Sequence, residues 1–268
     1  MRSDRQQGVT LVEMIMVIVI TGILGSMVAV FIKLPVQQYF DIARRADLID
    51  VANLALSRME SDIRSALPHS ARMTSATCPV GPSTCSFLEF LPSSGSGRYR
   101  IASSVTNTDI LDFTTADGSF EVLGAMPTFA SGVQVIVTNN MVAAAYDSAY
   151  RTPWFSTAAP IVTITSKQFP SPSPSAHFYI IDQAVSYVCD PGGGTLMRYS
   201  YAIQATQPTT AATLGTGRLL ASYVNSCSFA VTANNGSAGN SLVAINLGLN
   251  QDGEMATLYK VVHVGNEP

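Results

Sequence analysis

Glu13 is the residue whose position most constrains the chemistry of this chain. It directly precedes 14–32, a run of 19 residues without a charged side chain. A carboxylate at the mouth of a membrane helix is costly unless it faces water, a partner charge or a protein interior. A cut after Gly8 would give Val9 an α-ammonium, which could pair with Glu13 of a neighbouring chain or, one helical turn away, with Glu13 of its own chain. The spacing would therefore allow an ammonium–carboxylate pair if the chain were cut between Gly8 and Val9.

The cysteines Cys78, Cys85, Cys189 and Cys227 fit an oxidising compartment. Four cysteines allow three pairings, and the sequence alone does not choose among them. Local closure favours Cys78–Cys85, which leaves Cys189–Cys227, and each bridge would contribute about 2–4 kcal/mol. A metal site would need C-x2-C pairs or clustered histidines. Because the chain has neither, we expect disulfides and no metal site.

No residue pattern indicates catalysis. The three histidines accompany no G-x-S-x-G elbow, H-E-x-x-H helix or C-x-x-C pair. Asp109, Asp112 and Asp117 lack the order of a calcium loop. The glycines at 192–194 lie in a predicted hairpin turn and not between a strand and a helix, so they form no phosphate cradle. We expect no catalytic residue, no cofactor and a protein that is not an enzyme.

Composition narrows the classes of function. The chain has 268 residues, of which 47% are hydrophobic and only 12% are charged. The net charge of −3 leaves no basic excess, so a surface that binds nucleic acid is not expected. The apolar content excludes disorder for most of the length. This composition fits a membrane-associated chain that is also rich in small neutral residues.

The uncharged run predicts a transmembrane helix over residues 9–34. As a helix, 14–32 would rise roughly 28 Å, close to the thickness of the hydrocarbon core of a bilayer. The apolar region of a cleaved secretory signal is typically about 7–15 residues long, so this run is too long for one. A plain signal anchor would explain the length and the apolarity, but it gives no role to the residues before the run. Lysine and arginine lie on both sides of the run and do not orient it.

Residues 35–67 are predicted to continue as an amphipathic helix. Pro35 could kink this helix, and the Leu67-Pro68 step provides its end, since the residue before proline resists α geometry. The apolar stripe must pack on something, most economically on a sheet formed by the rest of the chain. The charged stretch 58–64 has the spacing of a solvated helix face, with pairs such as Glu60–Arg64. The stripe consists of Tyr39, Ile42, Ala46, Ile49, Ala52, Leu56, Met59, Ile63 and Leu67.

Beyond residue 68 the pattern changes to short alternating or β-branched runs, separated by clusters of Gly, Pro, Ser and Asn. Two pairs of runs are predicted hairpins, 184–189 with 195–203 and 241–249 with 255–264. The proline-rich stretch 169–175 is predicted to be an extended loop. The predicted fold class is therefore α+β, with one long N-terminal helix packed on an antiparallel β-sheet head, 68–268.

The N-terminal pattern resembles the class III signal of type IV pilins and pseudopilins. That signal combines a short polar leader, Gly8, an apolar residue, Thr10, Leu11, Glu13 and a long apolar helix. The resemblance implies a pilin-like fold, a leader at 1–8, a prepilin peptidase that cuts after Gly8 from the cytoplasmic side, and methylation of the new N-terminus, Val9. It also implies that Glu13 matches an amino terminus during assembly. The family usually has Phe after the glycine, where this chain has Val9.

Further stretches extend the resemblance to minor pilins. The helix stretch 56–73 and the string 185–199 are similar to the corresponding parts of J-type minor pseudopilins and related minor pilins. The terminal stretch 257–268 resembles the C-terminus of a minor pilin of the mannose-sensitive haemagglutinin (MSHA) pilus. The resemblance implies a minor pilin whose head primes or caps a filament.

Partners and location follow from the same resemblance. The implied partners are other minor and major pilins, the prepilin peptidase and an inner-membrane assembly platform, with no nucleic acid. The implied location is the inner membrane, crossed once, with the head in the periplasm or at the filament tip. Two alternatives stay open: a J-type pseudopilin of type II secretion, and a signal-anchored periplasmic module whose head binds a ligand without assembling.

Overall fold

The computed structural model describes residues 8–103, 109–137, 142–233 and 241–264. The predicted leader, 1–8, lies outside the described residues apart from Gly8. The chain divides into two compact units, Met1–Asp47 and Leu48–Pro268. One long helix, α1 (Leu11–Arg64), contributes residues to both units.

The part of α1 up to position 40 is exposed and mostly apolar. Every side chain described between positions 11 and 40 is exposed. The helix continues through Pro35, although proline has no backbone N–H to donate to the preceding turn. An 18-residue window of α1 has a mean hydropathy of 2.7, so the helix is long and apolar enough to cross a membrane.

The second unit adds short helices and antiparallel strands to α1. The short helices are α2 (Val142–Tyr146) and α3 (Ala211–Leu214). The strands, in chain order, are β1 (Arg72–Thr77), β2 (Thr84–Phe90), β3 (Ser93–Tyr99), β4 (Asp117–Leu123), β5 (Gln134–Ile136), β6 (Arg151–Ala158), β7 (Ile161–Lys167), β8 (His177–Ile181), β9 (Ala184–Asp190), β10 (Thr195–Tyr201), β11 (Arg218–Ser222), β12 (Val224–Ala233), β13 (Ser241–Gln251) and β14 (Glu254–His263).

The strands form two open sheets and one barrel. The open sheets have the orders β1-β2-β9-β10-β11 and β12-β13-β14, and the closed barrel has the order β3-β4-β7-β6-β5-β8. The two predicted hairpins are confirmed as the antiparallel pairs β9–β10 and β13–β14. The second is closed by Asp252 and Gly253, both at positive φ, as the tightest hairpin turns require. The predicted α+β class is therefore the observed one.

The strands of the barrel are inserted in the sequence between two neighbouring strands of the five-stranded sheet. β2 and β9 pair directly, from Ser86↔Cys189 to Phe90↔Val185, although β3 to β8 lie between them in the sequence. The barrel has its own apolar core, built around aromatic side chains such as Phe120 and Phe178. Gly97 makes this core possible, because a Cβ there would lie 2.7 Å from the ring of Phe178. The sequence predicted several of these strands but not their closure.

The C-terminal part of α1 packs on the two open sheets in one core. This core joins Leu56 and Met59 of α1 to Tyr187 of β9 and Ile245 of β13. The buried positions on the helix follow a spacing of three and four residues with small alanines between larger side chains, which lets backbone and sheet approach closely. They are Leu48, Ala52, Ala55, Leu56, Met59 and Ile63, each at most 2% exposed.

The predicted stripe is right in its C-terminal half and wrong in its N-terminal half. Five of its members are buried in the second unit: Ala52, Leu56, Met59, Ile63 and Leu67. The other four are exposed, and Leu48 takes the buried position in place of Ile49. The four exposed members are Tyr39, Ile42, Ala46 and Ile49.

We predict that Leu56→Ala lowers the free energy of unfolding by about 2–5 kcal/mol, because it removes buried methyl groups and leaves a cavity under α1. Leu54→Ala provides a matched control, since Leu54 is 73% exposed and Leu56 only 2%. The control should change stability by no more than about 0.5 kcal/mol. Urea unfolding of the detergent-solubilised chain, followed by circular dichroism, measures both. Equal losses would contradict the observed packing of the helix.

Candidate functional site

The N-terminal segment leaves the Gly8–Val9 peptide outside the helix. The backbone N–H of Met14 donates to the carbonyl of Thr10 at 3.2 Å, which is the first turn of α1. The backbone N–H of Glu13 donates to the Thr10 hydroxyl at 3.3 Å, so Thr10 caps the helix. Gly8 and Val9 precede this cap and are exposed. The peptide that joins them is therefore not protected by helical hydrogen bonds.

Glu13 lies in the first turn of α1, and its side chain is exposed. The T-x-x-E order of Thr10 and Glu13 is the order of a capping box. A negative side chain is favourable here because the helix dipole is positive at its N-terminus. A new ammonium on Val9 would be placed against that same positive end, and Glu13 is the nearby group that offsets it.

The hydroxyls of Thr21 and Ser26, inside the apolar part of α1, donate to backbone carbonyls of the same helix. The Thr21 hydroxyl donates to the carbonyl of Val17 at 2.6 Å, and the Ser26 hydroxyl donates to the carbonyl of Ile23 at 2.8 Å. Hydroxyls bonded in this way need no water, which suits a helix in hydrocarbon. Glu13 is therefore the charged group that this part of the helix must accommodate.

Asp62 ties α1 to the five-stranded sheet. Its carboxylate is only 9% exposed and accepts hydrogen bonds from the hydroxyl of Tyr187 at 2.8 Å and from Nε of Arg198 at 2.7 Å. Arg58, one helical turn earlier, lies 3.2 Å from its other oxygen. Burial, together with the negative charge of Asp62, raises the pKa of Tyr187, so the hydroxyl remains a donor.

Glu60 ties the same helix to the three-stranded sheet. Its carboxylate forms ion pairs with Lys260 of β14 and with Arg64 of α1. The hydrogen bond from Lys260, helped by the positive charge of Arg64, holds the pKa of Glu60 below its usual value. The C-terminal strand therefore contacts the helix through a charge pair as well as through the apolar core.

Glu89 forms the centre of a second buried polar cluster. It is fully buried on β2, and Nε of Arg72 donates to it at 2.7 Å. The guanidinium of Arg72 also donates to the carbonyls of Gln204 and Ala205 and lies 3.5 Å from the ring centre of Tyr146 in α2. Burial raises the pKa of Glu89, and Arg72 opposes that rise. The guanidinium of Arg72 thus connects β1 and β2 to the loop that follows β10 and to α2.

The cysteines form two bridges in the structure. Cys78 bonds Cys85 across the loop between β1 and β2. Cys189 bonds Cys227, so β9 of the five-stranded sheet is joined to β12 of the three-stranded sheet. No cysteine in the described part of the chain therefore carries a free thiol.

Among the residues that the structure describes, one group has the spacing of three metal ligands: Cys78, Cys85 and Asp190. The two sulfurs are already bonded to each other. Asp190 accepts hydrogen bonds from the backbone N–H of Gly193 at 2.8 Å and from the Ser83 hydroxyl at 2.9 Å. This group therefore stabilises two neighbouring loops and holds no free thiolate for a metal.

His69 lies between α1 and β1, His177 in β8 and His263 in β14, and none belongs to a group of three close ligands in the described ranges. Burial lowers the pKa of His69. Burial and the positive charge of Arg98 lower the pKa of His177. His263 is exposed at the end of β14.

Sequence reasoning missed the burial of Asp62 and Glu89 in the head. The predicted pair Glu60–Arg64 does form on an exposed flank. Asp62, in the same charged stretch, faces the sheet instead. Its position three residues after the apolar Met59 places both residues on the same side of the helix, and this spacing could have indicated its burial. Glu89 lies in a strand that is buried on both faces, which its apolar neighbours Phe87, Leu88 and Phe90 indicate.

Comparison with known proteins identifies the N-terminal segment. Residues 3–29 match the family model of the prokaryotic N-terminal methylation motif. No curated protein and no solved structure matches the chain. The motif supports a type IV pilin-like class III signal, and pilin-type proteins are structural components and not enzymes. Together with the apolar helix, it indicates a membrane-anchored protein.

We predict that Arg72→Met lowers the free energy of unfolding by about 3–5 kcal/mol at pH 7, because Glu89 keeps a buried charge without its cation. Burial holds the pKa of folded Glu89 above its ordinary value of 4.5, so folded Glu89 keeps its proton up to a higher pH than unfolded Glu89 does. Its contribution to stability is present below that value and is lost as the pH rises, by up to about 1.4 kcal/mol per pH unit. Urea unfolding at pH 5 and pH 7 should therefore show a more stable variant at pH 5. The double variant Arg72→Met/Glu89→Gln should lose this difference, and an unchanged difference would assign it to another group.

Proposed function

We propose that this chain is a minor pilin of an MSHA-type type IV pilus system, with the stretches of its head resembling the MSHA biogenesis protein MshO. The observation that carries the proposal is the arrangement at the N-terminus. An exposed Gly8–Val9 peptide precedes the cap of α1, and Glu13 lies in the first turn of a helix whose described side chains are exposed up to position 40.

Processing follows from that arrangement. The proposed domains are a leader at 1–8, a transmembrane helix at 9–34, the amphipathic helix at 35–67 and the β head at 68–268. Prepilin peptidase cuts between Gly8 and Val9 on the cytoplasmic side and methylates Val9. The chain is then held in the inner membrane by one span, with its head in the periplasm.

Assembly uses the exposed apolar helix. A helix with apolar side chains all round is stable in lipid or in a bundle of similar helices. When the chain leaves lipid for a filament, Glu13 is matched by the amino terminus of a neighbouring subunit. The partners are the major pilin, other minor pilins and the inner-membrane assembly platform, and the head primes or caps the filament.

A J-type minor pseudopilin of type II secretion is the second candidate. Its support is the string 185–199, which forms the β9–β10 hairpin, because this stretch is similar in both groups. The genes beside this one separate the two systems, since each system has its own platform and secretion or pilus components.

We predict that Glu13→Ala leaves the chain in the membrane but lowers its incorporation into filaments by about tenfold or more. The apolar span is unchanged, whereas the neighbour's ammonium is left without its carboxylate. Immunoblots of the inner-membrane fraction and of sheared filaments measure the two quantities separately.

The matched control is Glu13→Asp, which keeps the charge on a shorter side chain and should retain part of the incorporation. Filaments that contain Glu13→Ala at the level of the unchanged chain would contradict the proposal. Loss of the alanine variant from the membrane would assign Glu13 to insertion instead.

A further inference from the structure

The apolar surface of α1 does not end with the uncharged run. Lys33 is the only charged residue between Glu13 and Asp41, and its side chain is exposed. The stretch that follows it, 34–40, has apolar or amide side chains and no charge, and every side chain described there is exposed. The helix therefore presents a second, shorter stretch of exposed apolar surface beyond a single cation.

An aromatic pair ends this second stretch. Tyr39 and Phe40 are 70% and 55% exposed, and their ring centres lie 5.9 Å apart in an edge-to-face arrangement. Tyrosine is enriched where a membrane helix passes from hydrocarbon to headgroups, because one end of its ring is apolar and the other carries a hydroxyl. The pair is therefore suited to a boundary between lipid and water.

Cations flank the aromatic pair on both sides. Lys33 precedes it and Arg45 follows it, and both side chains are exposed. Within the described part of the chain, neither takes part in an ion pair, whereas Arg44 lies 3.6 Å from Asp41. The segment 33–45 thus carries more cations than acids, and such a segment beside a span complements anionic lipid headgroups.

Helix geometry brings these groups to a matching depth. From Glu13 to Lys33, α1 rises about 30 Å, which is the thickness of the hydrocarbon core. The aromatic pair follows Lys33 by roughly 10 Å of helix, and each headgroup layer is about 5–7 Å thick. A lysine just inside the core can extend its ammonium to the headgroups. With Lys33 extended in this way, Tyr39 and Phe40 fall within the headgroup layer.

We infer that residues 33–45 of α1 lie in the headgroup layer at the C-terminal end of the span and bind anionic phospholipid headgroups through Lys33 and Arg45. The inference rests on the membrane span of the proposed function and adds the residues that set its depth. A lipid surface satisfies the three features together. Exposed apolar side chains pack against hydrocarbon, the aromatic pair lies at the boundary, and the unpaired cations meet phosphate groups.

Depth-dependent fluorescence quenching of the full chain in phospholipid vesicles tests the location. The environment-sensitive dye NBD is attached to a cysteine introduced as Gln38→Cys or as Val19→Cys, since no described cysteine has a free thiol. Spin labels on the lipid headgroup or in the middle of the acyl chain quench the dye at the same depth. We expect the headgroup label to quench the dye at position 38 more strongly, and the acyl-chain label to quench the dye at position 19 more strongly.

The outcomes separate the inference from the proposed function. A dye at position 38 that aqueous iodide quenches as fully as the free dye would place the segment in water and overturn the inference. Stronger quenching there by the acyl-chain label would place it in hydrocarbon and overturn the inference as well. In both cases, a deep dye at position 19 would leave the span intact. A dye at position 19 that the acyl-chain label does not reach would contradict the membrane span itself.

A second measurement tests the pairing with anionic headgroups. At equal lipid content, spin-labelled phosphatidylglycerol should quench the dye at position 38 more strongly than spin-labelled phosphatidylcholine. Lys33→Gln and Arg45→Gln should each lower this preference by up to about fivefold, and high salt should lower it further. Arg218→Gln is the matched control, because it removes an exposed cation from β11. Equal quenching by the two lipids, or an equal loss in the control, would overturn the pairing.

Discussion

The carboxylate of Glu13 must be matched by a positive charge whenever the first turns of α1 leave water, and this requirement organises the N-terminal part of the chain. Every described side chain around it up to position 40 is exposed, and the hydroxyls in the span bond to carbonyls of the helix itself. Thr10 starts the helix after Val9, so the peptide before Val9 remains outside the hydrogen-bonded turns. Under the proposed function, cleavage there creates an ammonium next to the positive end of the helix dipole, where a nearby carboxylate stabilises it. We propose that Glu13 therefore disfavours an isolated helix in hydrocarbon and favours an assembled one.

The C-terminal part of α1 has a different role: it holds two sheets on one helix. Apolar side chains supply most of the contact, and two acids on opposite flanks fix the sheets in place. Asp62 bonds Tyr187 and Arg198 of the five-stranded sheet, whereas Glu60 pairs with Lys260 of the three-stranded sheet. The Cys189–Cys227 bridge joins the sheets to each other.

The sequence predicted the elements whose signals are local. The long helix, the α+β class and the hairpins β9–β10 and β13–β14 follow from periodicity and turn residues, and the structure contains them. The closure of the barrel could not be predicted because it pairs strands that are distant in the sequence, such as β3 and β8, and because β3 is locally weak. β3 contains Gly95 and Gly97, which lower strand propensity, and Gly97 is present because Phe178 packs where a side chain would be. Strands β11 and β12 are separated only at Tyr223, whose positive φ no local signal indicates. At the N-terminus, the motif residues could be predicted from sequence, whereas the burial of Asp62 and Glu89 depends on contacts between distant segments.

The most direct test of the central claim is the intact mass of the chain purified from membranes of cells with an active prepilin peptidase. The account predicts a single species that begins at Val9 and carries one methyl group on its amino terminus. A chain that still begins at Met1, or one cut at a position that leaves no amino terminus near Glu13, would contradict it.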